Sequence, residues 1–289
     1  SKTALPTMAV ITNIGVSHIE NLGSRDGILA AKLEILDGMK PGSPLLLNRD
    51  NDKLATVRRD DFDIHTFGIY SEEAEVRAVD IRYLSDSTEF TVVAGDSRTE
   101  VVLPTTGEHN VYDALAAFAV GLTLDISPEK CAAALASYRP AGMRENIVEK
   151  NGVTIIEDCY NASPDSMKAM AETLMRKGVP GRRKIAVIAD MLELGDYSEE
   201  AHRTAGRYMA EAKVDMLLTY GPMSKYAADE ARKRGLVRVF DFEDKDELTS
   251  QLIRMLKPGD VVAFKGSRGM KLEDVISQVY DTLEKESQK

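Results

Sequence analysis

Two side chains near the start of the chain could form a reactive pair. In "GVSHIENLGSRDGILAAKLEIL", residues 15–36, His18 lies in a loop just past a strand-like run, and Lys32 lies about one helix further on. A loop histidine and a helix lysine at that spacing can converge on one point. Ser24 is a good N-cap, and a helical pattern runs from it to about Asp37, so side chains fall at roughly 100° intervals on a wheel. Ile28, Leu29, Ala31, Leu33, Ile35 and Leu36 then share one arc, with Lys32 near its middle. Either the lysine snorkels, laying its stem along the apolar face and its ammonium in water, or its amine is held for chemistry. Reaction with carbon dioxide would turn that amine into a carbamate, an anionic oxygen ligand suited to magnesium. On the plainer reading His18 is a surface or packing residue.

Four further stretches carry polar groups where a ligand could use them. In "TTGEHNVYDALAA", Asn110 is either a helix N-cap or, with Asp113 a turn later, a polar group facing an adenine. Arg144, in "RPAGMREN", is a solvated hinge residue or an arginine that reaches a phosphate when domains close. "EDCYNASPDSM" puts Asp158 at a strand end, where a carboxylate can accept hydrogen bonds from ribose hydroxyls, and Tyr160 where a ring can stack on a base. Its Ser163-Pro164-Asp165 run starts a helix. "FKGSRGMKLED" places Lys265, Ser267 and Arg268 in a glycine-flanked loop before the last helix, either an anion site or a basic turn.

These residues need strands to present them. "TMAVITNIG", "SPLLLN" and "FDIHTFG" read as strands, with a short helix near 50–58, and "VRAVDIRYL", "EFTVVAG" and "RTEVVLP" as an antiparallel meander. Two helices follow, "GEHNVYDALAAFAVGLTL" and "SPEKCAAALASY", the second with Ser127 and Pro128 as N-cap and first-turn residue. Residues 139–146 read as a linker. Beyond it, "NIVEKNGVTIIED" forms two strands around Asn151-Gly152, and "KIAVIAD", "VDMLLTYG", "LVRVFDF" and "GDVVAFKG" alternate with helix-length amphipathic stretches. That order predicts an α/β chain with a mostly parallel, Rossmann-like second domain, whose ligands gather beyond the C-terminal strand ends. The expected domains are 1–142 and 143–289.

The chain has 289 residues, 43% hydrophobic and 29% charged, with net charge -10, which disfavours a broad nucleic-acid or anionic-membrane surface. Any anionic ligand must be gripped locally. Cys131 and Cys159 are too few for a disulfide scaffold or a four-cysteine zinc site and read as reduced thiols of a cytoplasmic protein. No signal peptide is visible, and "ALAAFAVGLTL" is too short to span a bilayer, so no membrane insertion is expected.

Taken in order, "ITNIGVSHIENLGSRDGILAAKLEI", "GEHNVYDALAAFAVG", "GMRENIVEKNGVTIIEDCYNASPDSM", "IADMLELGDYSEEAH" and "FKGSRGMKLE" closely resemble the Mur ligases, in particular their dipeptide-adding, MurF-type branch. The resemblance implies ATP-driven amide formation in peptidoglycan precursor synthesis. The carboxylate of UDP-MurNAc-tripeptide attacks the ATP γ-phosphate, and D-Ala-D-Ala captures the acyl phosphate, with Mg2+ offsetting charge. By resemblance Lys32 is the carbamylated lysine and His18 a magnesium ligand. Asn110 and Asp113 match the adenine side, Arg144 a phosphate or hinge position, and Asp158 the ribose position with Tyr160 and Asn161 beside it. Asp190, Glu193, Ser267 and Arg268 match the substrate-side loops. The family usually has asparagine where Asp113 stands, which alters the adenine contact.

No G-x-x-x-x-G-K-[ST] loop is present in the chain. The resemblance therefore implies a C-terminal fragment: part of the central ATP-binding domain followed by a complete C-terminal domain that caps ATP and substrate. Such a piece is expected to be inactive alone and, with its first sheet short of strands, to self-associate through an apolar edge, whereas a full-length relative is expected to be monomeric. The alternatives are a sibling ligase, of the diamino-acid-adding or folate-polyglutamylating type, and a non-catalytic nucleotide-binding module. The sequence lacks the D-N-P-R motif of the diamino-acid-adding type.

Overall fold

The computed structural model describes residues 1–139, 145–177 and 181–287. The chain divides into two compact units, Ser1–Arg139 and Pro140–Lys289. In the first, β1 (Ala9–Ile11) leads through α1 (Ile19–Leu22), α2 (Arg25–Leu33) and a 3-10 turn (Glu34–Gly38) to β2 (Pro44–Asn48). A 3-10 turn (Leu54–Thr56) precedes β3 (Asp63–Gly68), followed by β4 (Val76–Tyr83), β5 (Thr88–Ala94), β6 (Ser97–Leu103), α3 (Glu108–Thr123) and α4 (Pro128–Ala136).

The strands form one sheet in chain order, parallel from β1 to β4 and antiparallel from β4 to β6. Burial follows that division. Leu45, Leu46 and Leu47 of β2 are all buried, as befits a parallel strand covered on both faces. In β5 and β6, Phe90, Val92, Val101 and Leu103 are buried while Val102 is exposed, the alternation of a one-faced meander. Helix α3 lies over β2, β3 and β4, and its Leu115 and Phe118 share a core with Leu46, Phe67 and Phe90. Each such fully buried side chain contributes about 1.5–3 kcal/mol.

The second unit runs β7 (Asn146–Lys150), β8 (Val153–Glu157), α5 (Pro164–Lys177), β9 (Lys184–Ala189), α6 (Ser198–Glu211), β10 (Met216–Tyr220), α7 (Ser224–Lys233), β11 (Val239–Phe242), α8 (Lys245–Met255), β12 (Val261–Lys265) and α9 (Leu272–Ser287). Its sheet order is β11-β10-β9-β12-β8-β7, with β7 alone antiparallel. The β7–β8 hairpin turns at Asn151 and Gly152, both at positive φ (46° and 76°), the geometry that an Asn-Gly pair adopts most cheaply. From β9 the chain steps outward to β10 and β11, and α8 then returns it to β12, between β9 and β8. The order reverses between β9 and β12, so their C-terminal ends form the switch point of a doubly wound sheet.

The expected elements are present, with three local differences. The run expected to be helical from Ser24 to about Asp37 is α-helical only through Leu33 and then tightens to a 3-10 turn. The helix expected near 50–58 is the single turn Leu54–Thr56, and β1 is three residues long. Ser24 does cap α2, its Oγ accepting from the Gly27 N–H at 3.0 Å.

One carboxylate ties the first unit's strand ends together. Asp50, just past β2, accepts from the backbone N–H groups of Ile69 (2.5 Å), Tyr70 (3.0 Å) and Ser71 (2.7 Å) beyond β3, and from the Tyr112 hydroxyl of α3 (2.8 Å). A Cβ on Gly68 would stand 3.0 Å from that carboxylate. Burial alone would raise the Asp50 pKa, but these donors outweigh it and hold the group below the ordinary carboxylate value. Its stabilisation is therefore present above the unfolded-state value and lost as pH falls through the lower folded one. Asp50→Ala, which orphans the three amides, is expected to cost about 2–4 kcal/mol at pH 7. Asp50→Asn is expected to lose less, and the Ala deficit to shrink below about pH 3.8. Thermal unfolding of the three proteins across pH checks all three outcomes.

Candidate functional site

In the first unit the loop leaving β1 is held from three directions. Asn48 Nδ2 donates to the Thr12 carbonyl (3.1 Å), Asn51 Nδ2 to Asn13 Oδ1 (2.7 Å), and Arg25 Nη2 to the Ile14 carbonyl (2.7 Å). Arg25 also donates to Asp52 at 2.8 Å, and Lys53 to Asp26 at 2.5 Å, which fixes the start of α2 against the segment after β2. The held loop delivers His18 to the N-cap of α1 at φ 64°, a left-handed conformation that surrounding contacts must maintain. The His18 side chain is exposed.

Lys32 is exposed as well, as the snorkelling alternative expects of a lysine on an apolar arc. The wheel places neighbouring residues on a common arc but says nothing of what covers it. Within α2 Ile28 is buried, while Leu29, Ala31 and Leu33 are only half-buried. Among the described residues no three His, Cys, Asp or Glu side chains converge as a metal site. Magnesium needs few protein ligands, commonly one or two carboxylates with phosphate and water oxygens completing the shell. A carbamate on Lys32 fits that requirement better than the nitrogen of His18 does, so the pair suits a magnesium ion only as part of a larger, oxygen-rich set.

Asn110 is not the N-cap of α3; Gly107 is, at φ 116°. Instead Asn110, half-buried in the first turn, donates from Nδ2 to the Thr106 carbonyl (2.9 Å) and to Thr105 Oγ1 (3.3 Å), stapling the strand-to-helix turn. Asp113 is exposed one turn later. Tyr112, between them in sequence, carries the bond to Asp50, and Tyr70 donates to Glu108 in the same turn, which pushes the Tyr70 hydroxyl up to about 12. Neither Asp50 nor these tyrosines carries a motif signal; the clue in the sequence is the acidic cluster in "NRDND" directly after a strand. Arg144 lies outside the described residues.

In the second unit the expected residues gather at the C-terminal ends of β8, β9 and β12. Asp158 follows β8, and its carboxylate accepts from Lys265 Nζ at 2.6 Å. The sequence pattern places Lys265 in a glycine-flanked loop, either an anion site or a basic turn. It is instead the last residue of β12, 2% exposed, with its charge committed to Asp158. Tyr160 and Asn161 are exposed beside Asp158, and Asn161 Oδ1 accepts from the Ala162 N–H at 2.8 Å. Ser163 Oγ accepts from the Ser166 N–H at 3.4 Å at the start of α5.

Asp190, directly after β9, is 3% exposed and caps α7: its Oδ1 accepts from the N–H and the hydroxyl of Ser224, both at 2.7 Å. A Cβ on Gly221 would lie 2.6 Å from that carboxylate, so the approach requires glycine. The backbone after β9 is held residue by residue. The Asp190 carbonyl accepts from the Ser267 N–H (3.1 Å), the Met191 N–H donates to His202 Nε2 (3.0 Å), and the Leu192 N–H donates to Ser267 Oγ (2.9 Å). Ser267 is thus buried as a brace, while Glu193, at φ 62°, and Arg268, 3.1 Å from Glu273, are exposed. His202 was not singled out from the sequence; its signal is a lone histidine on the apolar side of α6.

Comparison with known proteins is consistent along the chain. The Mur ligase middle domain matches residues 1–121, and the Mur ligase glutamate ligase domain matches residues 143–268. The UDP-N-acetylmuramoyl-tripeptide--D-alanyl-D-alanine ligase of Bacillus subtilis is 36% identical over 287 residues, covering 98% of this chain and 61% of that protein. A crystal structure of MurF from Acinetobacter baumannii, 31% identical, aligns with a TM-score of 0.87 over 97% of this chain and 61% of that one. MurF from Thermotoga maritima in complex with ADP, 28% identical, aligns with a TM-score of 0.82, covering 97% and 63%. The chain thus spans 61% of the length of the Bacillus relative. Among the described residues no helix is long and apolar enough to cross a membrane.

His202, which holds the backbone just past β9, is 1% exposed. Its Nδ1 lies 2.6 Å from the Ser198 carbonyl and its Nε2 accepts from Met191, which assigns a neutral ring with the proton on Nδ1. Burial pushes its pKa down, against the raising effects of the Ser198 carbonyl and of the Asp190 carboxylate 3.8 Å away. The unfolded chain therefore takes up a proton at a higher pH than the folded one. Stability is full above the unfolded value near 6.5 and is lost as pH falls below it, by up to about 1.4 kcal/mol per pH unit. Thermal unfolding of the second unit between pH 8 and 5.5 is expected to show this loss, and His202→Gln to flatten it.

Proposed function

Since this chain belongs to the Mur ligase family, we propose that it is the nucleotide-handling part of an ATP-dependent amide ligase joining D-Ala-D-Ala to UDP-MurNAc-tripeptide. The observation that carries the reading is the 36% identity to a ligase of that description over 98% of this chain. The ADP complex of a relative at 28% identity supports nucleotide use by the same fold. Residues 1–142 then belong to a central ATP-binding domain, and 143–289 form a C-terminal domain that caps ATP and substrate.

In the proposed reaction a tripeptide carboxylate oxygen bonds to the γ-phosphorus of ATP and ADP leaves. The amine of D-Ala-D-Ala attacks the acyl carbon, gives up a proton and expels phosphate, which leaves the new amide. Bound magnesium supplies charge neutralisation on the phosphates, and His18 with a carbamate on Lys32 would hold it. Asn110 and Asp113 address the adenine, Asp158 the ribose hydroxyls, Tyr160 and Asn161 the neighbouring nucleotide surface, and Arg144 a phosphate. Burial of Asp190 and Ser267 supports their role as braces of the substrate-side loops. The exposed Glu193 and Arg268 are then the side chains those loops present.

The test is phosphate release by the full-length gene product with ATP, magnesium and UDP-MurNAc-tripeptide. Release is expected to depend on added D-Ala-D-Ala; release indifferent to the dipeptide overturns the reading. Lys32→Ala is expected to lower the rate about a hundredfold or more, with partial recovery in added acetate, which replaces the carbamate's oxygens.

A further inference from the structure

Lys265 is a buried cation that the proposed reaction does not itself use. Its side chain is 3% exposed, and Nζ reaches Asp158 twice, at Oδ2 (2.6 Å) and at the backbone carbonyl (3.3 Å). The preceding residue of β12 also holds Asp158, the Phe264 carbonyl accepting from the Asp158 N–H at 3.0 Å. Two consecutive residues of a fully buried strand therefore fix the N–H, the carbonyl and the carboxylate of a single residue. The Asp158 side chain, 15% exposed, still reaches the surface at the end of β8. A buried ion pair is weak as a source of stability, because desolvation offsets most of the Coulomb attraction, and a well-packed apolar pair serves as well. What the pair does supply is direction: the ammonium, 2.6 Å from Oδ2, selects the rotamer of the carboxylate.

We propose that Lys265 is a positioning residue that acts through Asp158, aiming its carboxylate at the ribose hydroxyls of the nucleotide. This rests on the proposed role of Asp158. A hydroxyl donating to a carboxylate must lie within about 2.5–3.0 Å of it, so a carboxylate free to swing loses that contact first. Lys265 thereby sets discrimination between ribose and deoxyribose rather than the affinity for phosphate or base.

The experiment measures KM for ATP and for 2′,3′-dideoxy-ATP with the full-length protein in dipeptide-dependent turnover. Wild type is expected to favour ATP by about ten- to a hundredfold, the range for a hydrogen bond to a charged group. Lys265→Met and Asp158→Asn are each expected to reduce that preference to a few-fold, and the double variant to reduce it no further. Lys265→Met leaves a carboxylate without its buried partner and risks misfolding. The double variant buries no unpaired charge, so its equality with Asp158→Asn tests the same coupling. Equal losses for both nucleotides in Lys265→Met, or additive losses in the double variant, overturn the inference. Turnover by wild type without preference between the nucleotides overturns the ribose role of Asp158, and absence of dipeptide-dependent turnover overturns the ligase reading.

Discussion

A parallel strand buried on both faces ends in backbone groups that have no neighbour in the sheet, and both units meet that constraint with the same device. A carboxylate just beyond one strand turns sideways to accept the amides that follow the adjacent strand. In the first unit Asp50, after β2, accepts from Ile69, Tyr70 and Ser71 after β3. In the second, Asp190, after β9, accepts from Met223 and Ser224 after β10. Each carboxylate sits against a glycine, Gly68 or Gly221, where a Cβ would crowd it at 3.0 or 2.6 Å.

The two carboxylates differ in what they bring along. Asp50 also takes the Tyr112 hydroxyl, and so couples the β3 loop to the first turns of α3, where Asn110 staples its own entry turn. Asp190 instead lies beside a neutral histidine. A charged imidazole at 3.8 Å would gain from that carboxylate but would lose the Met191 N–H, which needs a lone pair on Nε2. Burial decides the balance in favour of the neutral ring. Leucine or glutamine at position 202 would preserve the helix, yet only the glutamine could still accept the amide.

Local patterns carried the secondary structure well. The β-branched runs, the Asn151-Gly152 turn, the Ser127-Pro128 helix start and the strand–helix alternation all specify structure within a few residues of themselves, and each is found where its pattern lies. What local patterns leave out is partners distant in sequence. Lys265 looked like a loop cation because "KGSRG" is glycine-flanked, but Asp158, which neutralises it, is 107 residues away. Asp190, matched to a substrate-side loop, also caps α7, through donors that lie 34 residues on, at Ser224. Lys32 sits on the arc the wheel drew, yet an arc becomes a buried face only when another element covers it, and period alone cannot supply that element.

This separation between residues that hold and residues that are shown has an energetic reason. A loop ordered only when ligand arrives subtracts the cost of its ordering from the binding free energy, roughly 0.5–1.5 kcal/mol per immobilised flexible side chain and more for backbone. Here that ordering takes place during folding. Asn48, Asn51 and Arg25 fix the loop that carries His18, Lys265 fixes Asp158, and His202, Ser267 and Asp190 fix the backbone ahead of Glu193. The more exposed residues then inherit their positions from buried and half-buried ones, and stabilisation of developing charge by preset groups requires that order of construction. It follows that the polar residues bonded at the strand ends control the geometry available to the side chains that those loops present.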